Sequence, residues 1–352
     1  MTRAADEAAS NPATNPAGKP TTNPASRAAD KAGTALRGWL FEPVPKGRIA
    51  AFRTLIYVFV ALDVVFFSAW VKSHGDLPGN LYQPLVIGKL LPLPTPTPLV
   101  AGAIYWALIP LSLAAATGRA HRLLGWSVFI LYFEWMIIAM SYGKIDHDRF
   151  GLLVALAVLP AAGRARHGDK EATEAGGWAL RLTQVGVICT YFLASIAKLR
   201  FGGLAWLTGA TLTRSFIRRG TQLAHWLLGI PGFTTAGQIG IVGFELFSPL
   251  VFVVKPKLRY AMVAGFYAFH IVTFCLITIS FIPHQVAMAS FLPLEKVTPV
   301  IWARRLLKRG DPAPGEVAAS GASAAEEAGE EVAEAAGDVH QRTADGLDHL
   351  GR

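Results

Sequence analysis

The chain has 352 residues, 52% hydrophobic and only 16% charged, with a mean hydropathy of +0.38. The charged share lies well below the roughly 25% of soluble domains, which excludes an ordinary soluble globular protein. Two cysteines exclude a disulfide scaffold or a four-thiolate zinc site, and a net charge of +9 in so apolar a chain points to basic residues at membrane-helix ends rather than to nucleic acid.

In chain order, residues 1–47 come first as a tail rich in Ala, Thr and Ser, with Asn-Pro-Ala repeated at Asn11, Asn15 and Asn23. Such a composition cannot bury a core and predicts a disordered segment. It is too long and too polar to be an ordinary cleaved signal peptide, so the first apolar run is expected to stay in the mature protein. Residues 48–309 read as the transmembrane domain. A bilayer core about 30 Å thick needs about 20 apolar residues per helix. Candidate spans fall near 48–70, 99–117, 121–142, 148–163, 178–199, 237–254 and 258–280. An eighth run from Pro283 is interrupted by Pro293, Glu295 and Lys296 and reads as a span or a re-entrant helix. The fold class is therefore an all-α polytopic bundle of seven or eight transmembrane helices. Residues 310–352, with 10 acidic and 2 basic side chains, read as a disordered acidic tail.

Arg37, Lys46 and Arg48 precede the first span; Arg119 and Arg122 follow the second; Arg164, Arg166 and Lys170 follow the fourth; Lys255, Lys257 and Arg259 follow the sixth. Every second connection is thus basic, which predicts a multi-pass protein of the cell membrane with a cytoplasmic N-terminus. Segments 71–98, 143–147 and 200–236 then lie outside. The last of these carries Arg214, Arg218 and Arg219, against the rule, but also Phe216, Leu223, Trp226 and Leu227, which suit the membrane interface.

Ionisable groups within a membrane are retained mainly where they face a cavity or a partner. On this topology Asp63, Glu134, Glu245, His270 and Lys198 fall between the midplane and the outer surface, with His147 in the outer connection. Each also has an ordinary explanation: Lys198 as a snorkelling anchor, Asp63 and Glu134 as helix–helix partners, His270 as a packing histidine. The Asp146-His147-Asp148 run lacks a spacing that closes one coordination sphere, and no metal site is expected. Cys189 and Cys275 fall inside apolar runs and read as packing residues.

The stretch Tyr191-Phe-Leu-Ala-Ser-Ile-Ala-Lys198-Leu199, followed by Trp206 and Gly209, resembles the membrane motif of the horizontally transferred transmembrane family. That family includes the membrane portion of vitamin K-dependent gamma-carboxylase. Asp146-His147-Asp148-Arg-Phe-Gly-Leu-Leu resembles its histidine-containing outer loop, and Phe269-His270 and Ile282-Pro-His284-Gln-Val-Ala-Met-Ala-Ser-Phe resemble its later helices; the resemblance covers residues 45–296. It implies Lys198 as the base acting on reduced vitamin K or a menaquinol, with His147 at the matching loop position as the second catalytic candidate; His147 or His270 would position a quinol oxygen, and Tyr191, His270 and the outer-half carboxylates Glu245, Glu134 and Asp63 are the candidates around the quinol. The products it implies are quinone epoxide and a gamma-carboxylated glutamate. A base of this kind must be able to exist as a neutral amine, which apolar surroundings favour.

The chain departs from the carboxylase in three ways. Ala197-Lys198 stands where the carboxylase carries a lysine pair, the interval from Lys198 to Trp206 is longer, and the large extracytoplasmic domain that recognises protein substrates has no counterpart. A noncatalytic quinone- or lipid-binding protein, alone or in an assembly, is therefore the alternative expectation. A small-solute transporter would call for a pair of repeated broken helices, which the sequence lacks.

Overall fold

Pro24–Leu40 form a helix, α1, where composition alone predicts a disordered tail. A two-residue strand, β1 (Val44–Pro45), leads into α2 (Lys46–Leu62), which runs on through a π-helical turn, Asp63–Phe67. A 3-10 segment (Ala69–Asp76) and the short α3 (Val86–Leu90) precede α4 (Pro98–Ala116). Proline at the first position of α4, and the Thr97 side chain accepting from the Val100 N–H at 3.2 Å, fix where that helix begins. Then come α5 (His121–Met140), α6 (Phe150–Val158), β2 (Ala172–Thr173) paired antiparallel with β1, and the 35-residue α7 (Glu174–Thr208). α7 bends at Gly203, whose φ of 56° suits only a residue without Cβ. Two short helices, α8 (Thr211–Arg219) and α9 (Gln222–Leu228), lead to α10 (Phe233–Leu246), α11 (Pro256–Ile277) and α12 (Ile282–Met288). These are features of a computed structural model describing residues 24–296. Those up to Leu292 belong to one unit; of the second, Pro293–Arg352, the described part is one 3-10 turn, Leu294–Lys296. The end of the expected transmembrane domain, 297–309, and the acidic tail lie outside the described residues.

The protein is all-α with several membrane-spanning helices. Five are long and apolar enough to cross a bilayer: Lys46–Phe67, Pro98–Ala116, His121–Met140, Glu174–Thr208 and Pro256–Ile277. A sixth is reached if α9 and α10, bent by 110°, count as one broken span. The expected spans at 148–163 and from Pro283 are present as shorter helices. α6 stops at Val158 and tightens into a 3-10 turn over Leu159–Ala161, because Pro160 has no N–H to continue the ladder. The expected span at 237–254 begins earlier, at Phe233, and leaves the α-helix at Leu246 ahead of Pro249.

The connections sort to the two ends of the bundle. At one end, Gly47 N–H donates to Asp169 O (2.8 Å), Lys46 pairs with Glu171 (2.6 Å), Arg53 donates to Ala165 O (3.1 Å) and Thr54 to Ala116 O (3.1 Å). Arg181 of α7 meets Trp39 O and Glu42 there, and Gly177 admits the chain so closely that a Cβ would lie 1.9 Å from Glu42 O. The Trp39 ring meets Phe252 edge-on at 5.5 Å. The basic connections thus gather at one end. At the other, Gln83 N–H donates to Ser141 O (2.9 Å) and Arg149 reaches Asp63 (2.9 Å). α6 runs from the second end to the first despite its length. The bundle turns large apolar side chains outward, among them Leu99, Trp106, Phe201 and Phe274, as lipid contact requires.

Candidate functional site

Lys198 and Tyr191 stand seven residues apart on one face of α7. Lys198 donates from Nζ to both carboxylate oxygens of Glu245 on α10, at 2.6 Å to Oε1, and lies 5.4 Å from the centre of the Trp206 ring. Tyr191 OH and His270 Nε2 of α11 share a hydrogen bond of 2.6 Å. His284 of α12 meets Tyr191 edge-on at 4.8 Å, and its ring is 5.2 Å from His270. Phe281 covers His270 at 4.7 Å and reaches His147 at 6.1 Å. These side chains enclose a chamber of about 240 Å³, completed by Thr190, Ala194, Phe269 and Thr273.

A second cavity of about 860 Å³ is almost wholly apolar, walled by Phe129, Phe133, Met136 and Ile137 of α5, Leu153 of α6, Leu193 and Ala197 of α7, and roofed by Leu85 and Ile87. His147, Thr190, Ala194 and Lys198 border both cavities. An apolar groove therefore borders a small chamber lined with polar side chains, and the junction carries the lysine and the exposed histidine. Within the chamber His270 Nδ1 and both ring nitrogens of His284 are buried without a hydrogen-bond partner. Buried polar atoms are seldom left so, and three around one cavity ask for a polar guest.

The structure brings together Lys198, His147, His270, Tyr191 and Glu245; it does not bring Asp63 or Glu134 to either cavity. Asp63 is fully buried on another face. Its carboxylate accepts from Arg149 (2.9 Å), Tyr132 (2.9 Å) and Ser68 (2.8 Å), and Trp135 donates to Ser68 at 2.9 Å. This network explains the π-helical turn: Ser68 N–H and Oγ both return to Asp63 O, and such insertions cluster where a side chain must be re-aimed. Asp146 and Asp148 turn toward Arg149 at 3.6 Å each, leaving His147 directed to the cavities. Burial pushes the Asp148 carboxyl above its usual range, against the pull of Arg149. Glu134 is half-buried on α5, and its Oε1 has no hydrogen-bond partner. Asp63 is thus the buttress of the loop that presents His147 rather than a ligand group.

Two site residues escape sequence reasoning. His284 stands in the sequence only within the run that resembles the family's later helices, which gives it no role of its own. Gln238, fully buried on α10, donates to the carbonyls of Trp206, Leu207 and Gly209 and accepts from Leu212 N–H. It thereby satisfies the backbone freed where α7 ends. Gln238 and Glu245, seven residues apart, tie α10 to α7 at two points. Among the described residues no three His, Cys, Asp or Glu side chains are placed to hold a metal ion. No family model, curated protein or solved structure matches the chain.

Proposed function

We propose that this is a multi-pass protein of the cell membrane that binds a reduced isoprenoid quinone, vitamin K or a menaquinol, and acts on it in the manner of the gamma-carboxylase membrane domain. The observation that carries the reading is the junction of apolar groove and polar chamber at Lys198 and His147. The groove suits an isoprenoid tail. The three unpartnered imidazole nitrogens and the Lys198–Glu245 pair suit a ring bearing two oxygens. When bound, a quinol supplies the reducing equivalents for oxygen chemistry that ends in quinone epoxide and carboxylation of a glutamate. The chain's own part is to orient the head between His270 and His284, exclude water with Phe281 and Phe269, and receive a proton at Lys198 Nζ once the proton it shares with Glu245 has moved to that carboxylate.

The N-terminus is cytoplasmic on this reading and the site faces outward, with α6 and α12 as short crossings that bring the count to seven or eight. The gathering of the basic connections at one end supports it. In a chain with Cys189→Ser and Cys275→Ser, Lys144→Cys should label from outside intact cells and Lys170→Cys only after permeabilisation. The reverse pattern would invert the site.

A second reading, a noncatalytic quinone- or lipid-binding protein, is favoured by one observation: Lys198 is already a donor to both carboxylate oxygens of Glu245. The catalytic reading and the quinone-binding form of the second both require saturable quinone binding in lipid nanodiscs. Ala194→Trp, which fills the neck common to both cavities, should weaken it at least tenfold, or about 1.4 kcal/mol. Unchanged affinity in that variant would remove the junction from the binding site.

A further inference from the structure

The α1 helix has an apolar face that the bundle does not cover. At 100° per residue, Ala28, Ala32, Ala35, Leu36, Trp39 and Leu40 fall within one arc of about 140°, and Arg27, Asp30, Lys31 and Arg37 fall opposite. Residues 25–38 are all exposed, Leu36 by 61%. The C-terminal end is held on the bundle: Trp39 lies under the Arg181 guanidinium at 4.6 Å and against Phe252, and Phe41 N–H returns to Arg37 O at 2.9 Å.

Those anchors fix where the free arc lies. Trp39 and Glu42 dock on the first turns of α7, beside the start of α2, so α1 leaves the bundle at the end where the basic connections gather and where the spans meet the bilayer surface. A helix of small and apolar residues on one side and mostly cations on the other, starting from that level, has one environment that satisfies both sides. We infer that α1 lies in the plane of the bilayer surface at the basic end, its alanine–leucine arc in the acyl boundary and its Lys31 and Arg37 among anionic lipid headgroups. The small alanines keep the insertion shallow. Trp39, half-buried at the bundle edge, sits at the depth that tryptophan prefers.

The test uses the full chain with Cys189→Ser and Cys275→Ser, one copy per nanodisc, carrying an environment-sensitive fluorophore on a single cysteine. Labels at Ala28→Cys, Ala32→Cys and Leu36→Cys should emit to the blue and be quenched by aqueous iodide roughly fivefold less than labels at Thr34→Cys and Arg37→Cys. The contrast should grow when phosphatidylcholine discs are replaced by discs containing phosphatidylglycerol, and Lys31→Glu in the labelled Leu36→Cys chain should abolish that growth. Equal quenching on the two arcs overturns the inference. So does protection seen only in discs holding two copies, which would assign the arc to a second chain, or a contrast indifferent to anionic lipid.

Discussion

Arg149→Met should destabilise the folded protein by roughly 3–5 kcal/mol, the cost of leaving a buried charge without its partner. Asp63 is fully buried and Arg149 nearly so, and their contact at 2.9 Å joins the π-helical turn after α2 to the segment that carries His147. Burial by itself would lower the Arg149 pKa, but Asp63, Tyr132 and Asp148 outweigh it and raise it, so the cation persists at any ordinary pH. Asp63→Leu should cost a similar amount and also leave the Tyr132 hydroxyl without its acceptor, about 1–3 kcal/mol more. The double variant Asp63→Leu with Arg149→Met should be less destabilised than the two singles added together, because neither member of the pair is then left behind as the other's unpaired charge. Thermal unfolding of the four proteins in detergent measures the coupling. Additive losses would mean that the pair is incidental, and His147 would then need another support.

The contrast between Asp63 and Glu245 shows what a sequence of this kind carries and what it withholds. Both are single carboxylates in apolar runs, and hydropathy with loop charge gives the depth of each along its helix. It does not give the direction around the helix axis. Asp63 faces Tyr132 of α5, and Glu245 faces Lys198 of α7; the distinction between buttress and site lies in packing between spans far apart in the chain. Lys198, His270, Tyr191 and His147 were legible because polar side chains stand out in apolar sequence. Arg149 is obscured by its own run, Asp-His-Asp-Arg, in which two adjacent acids suffice to pair it locally, whereas its shortest contact is to Asp63 on a distant span. The long spans followed from composition alone, whereas α6 and α12 fall short because Pro160 and Pro293 punctuate runs whose mean hydropathy hardly registers them; Leu292, before Pro293, is extended. The α1 helix was hidden by alanine, abundant both in disordered tails and in helices. Its signal was angular, in the segregation of Arg27, Asp30, Lys31 and Arg37 to one side.

Lys198→Arg should separate the two functional readings. Arginine keeps a cation beside Glu245, so fold and quinone binding should stay within a few-fold of wild type, but it remains protonated at any working pH and cannot receive the quinol proton. Loss of a general base typically costs 10²–10⁴ in rate, so quinone epoxide formation should fall by about that factor. Lys198→Ala is the harsher change. It strands Glu245, which is 6% exposed, as an unpaired carboxylate, and stability should fall along with turnover. Glu245→Gln tests the other half of the pair: without a carboxylate to take the shared proton, epoxidation should drop although Lys198 remains. Epoxide formation by the arginine variant at the wild-type rate would sink the general-base assignment. If wild type binds menaquinone saturably yet forms no epoxide from menaquinol or vitamin K hydroquinone, with oxygen and carbon dioxide supplied, the Lys198–Glu245 pair is an electrostatic latch on a bound lipid and the binding-protein reading holds.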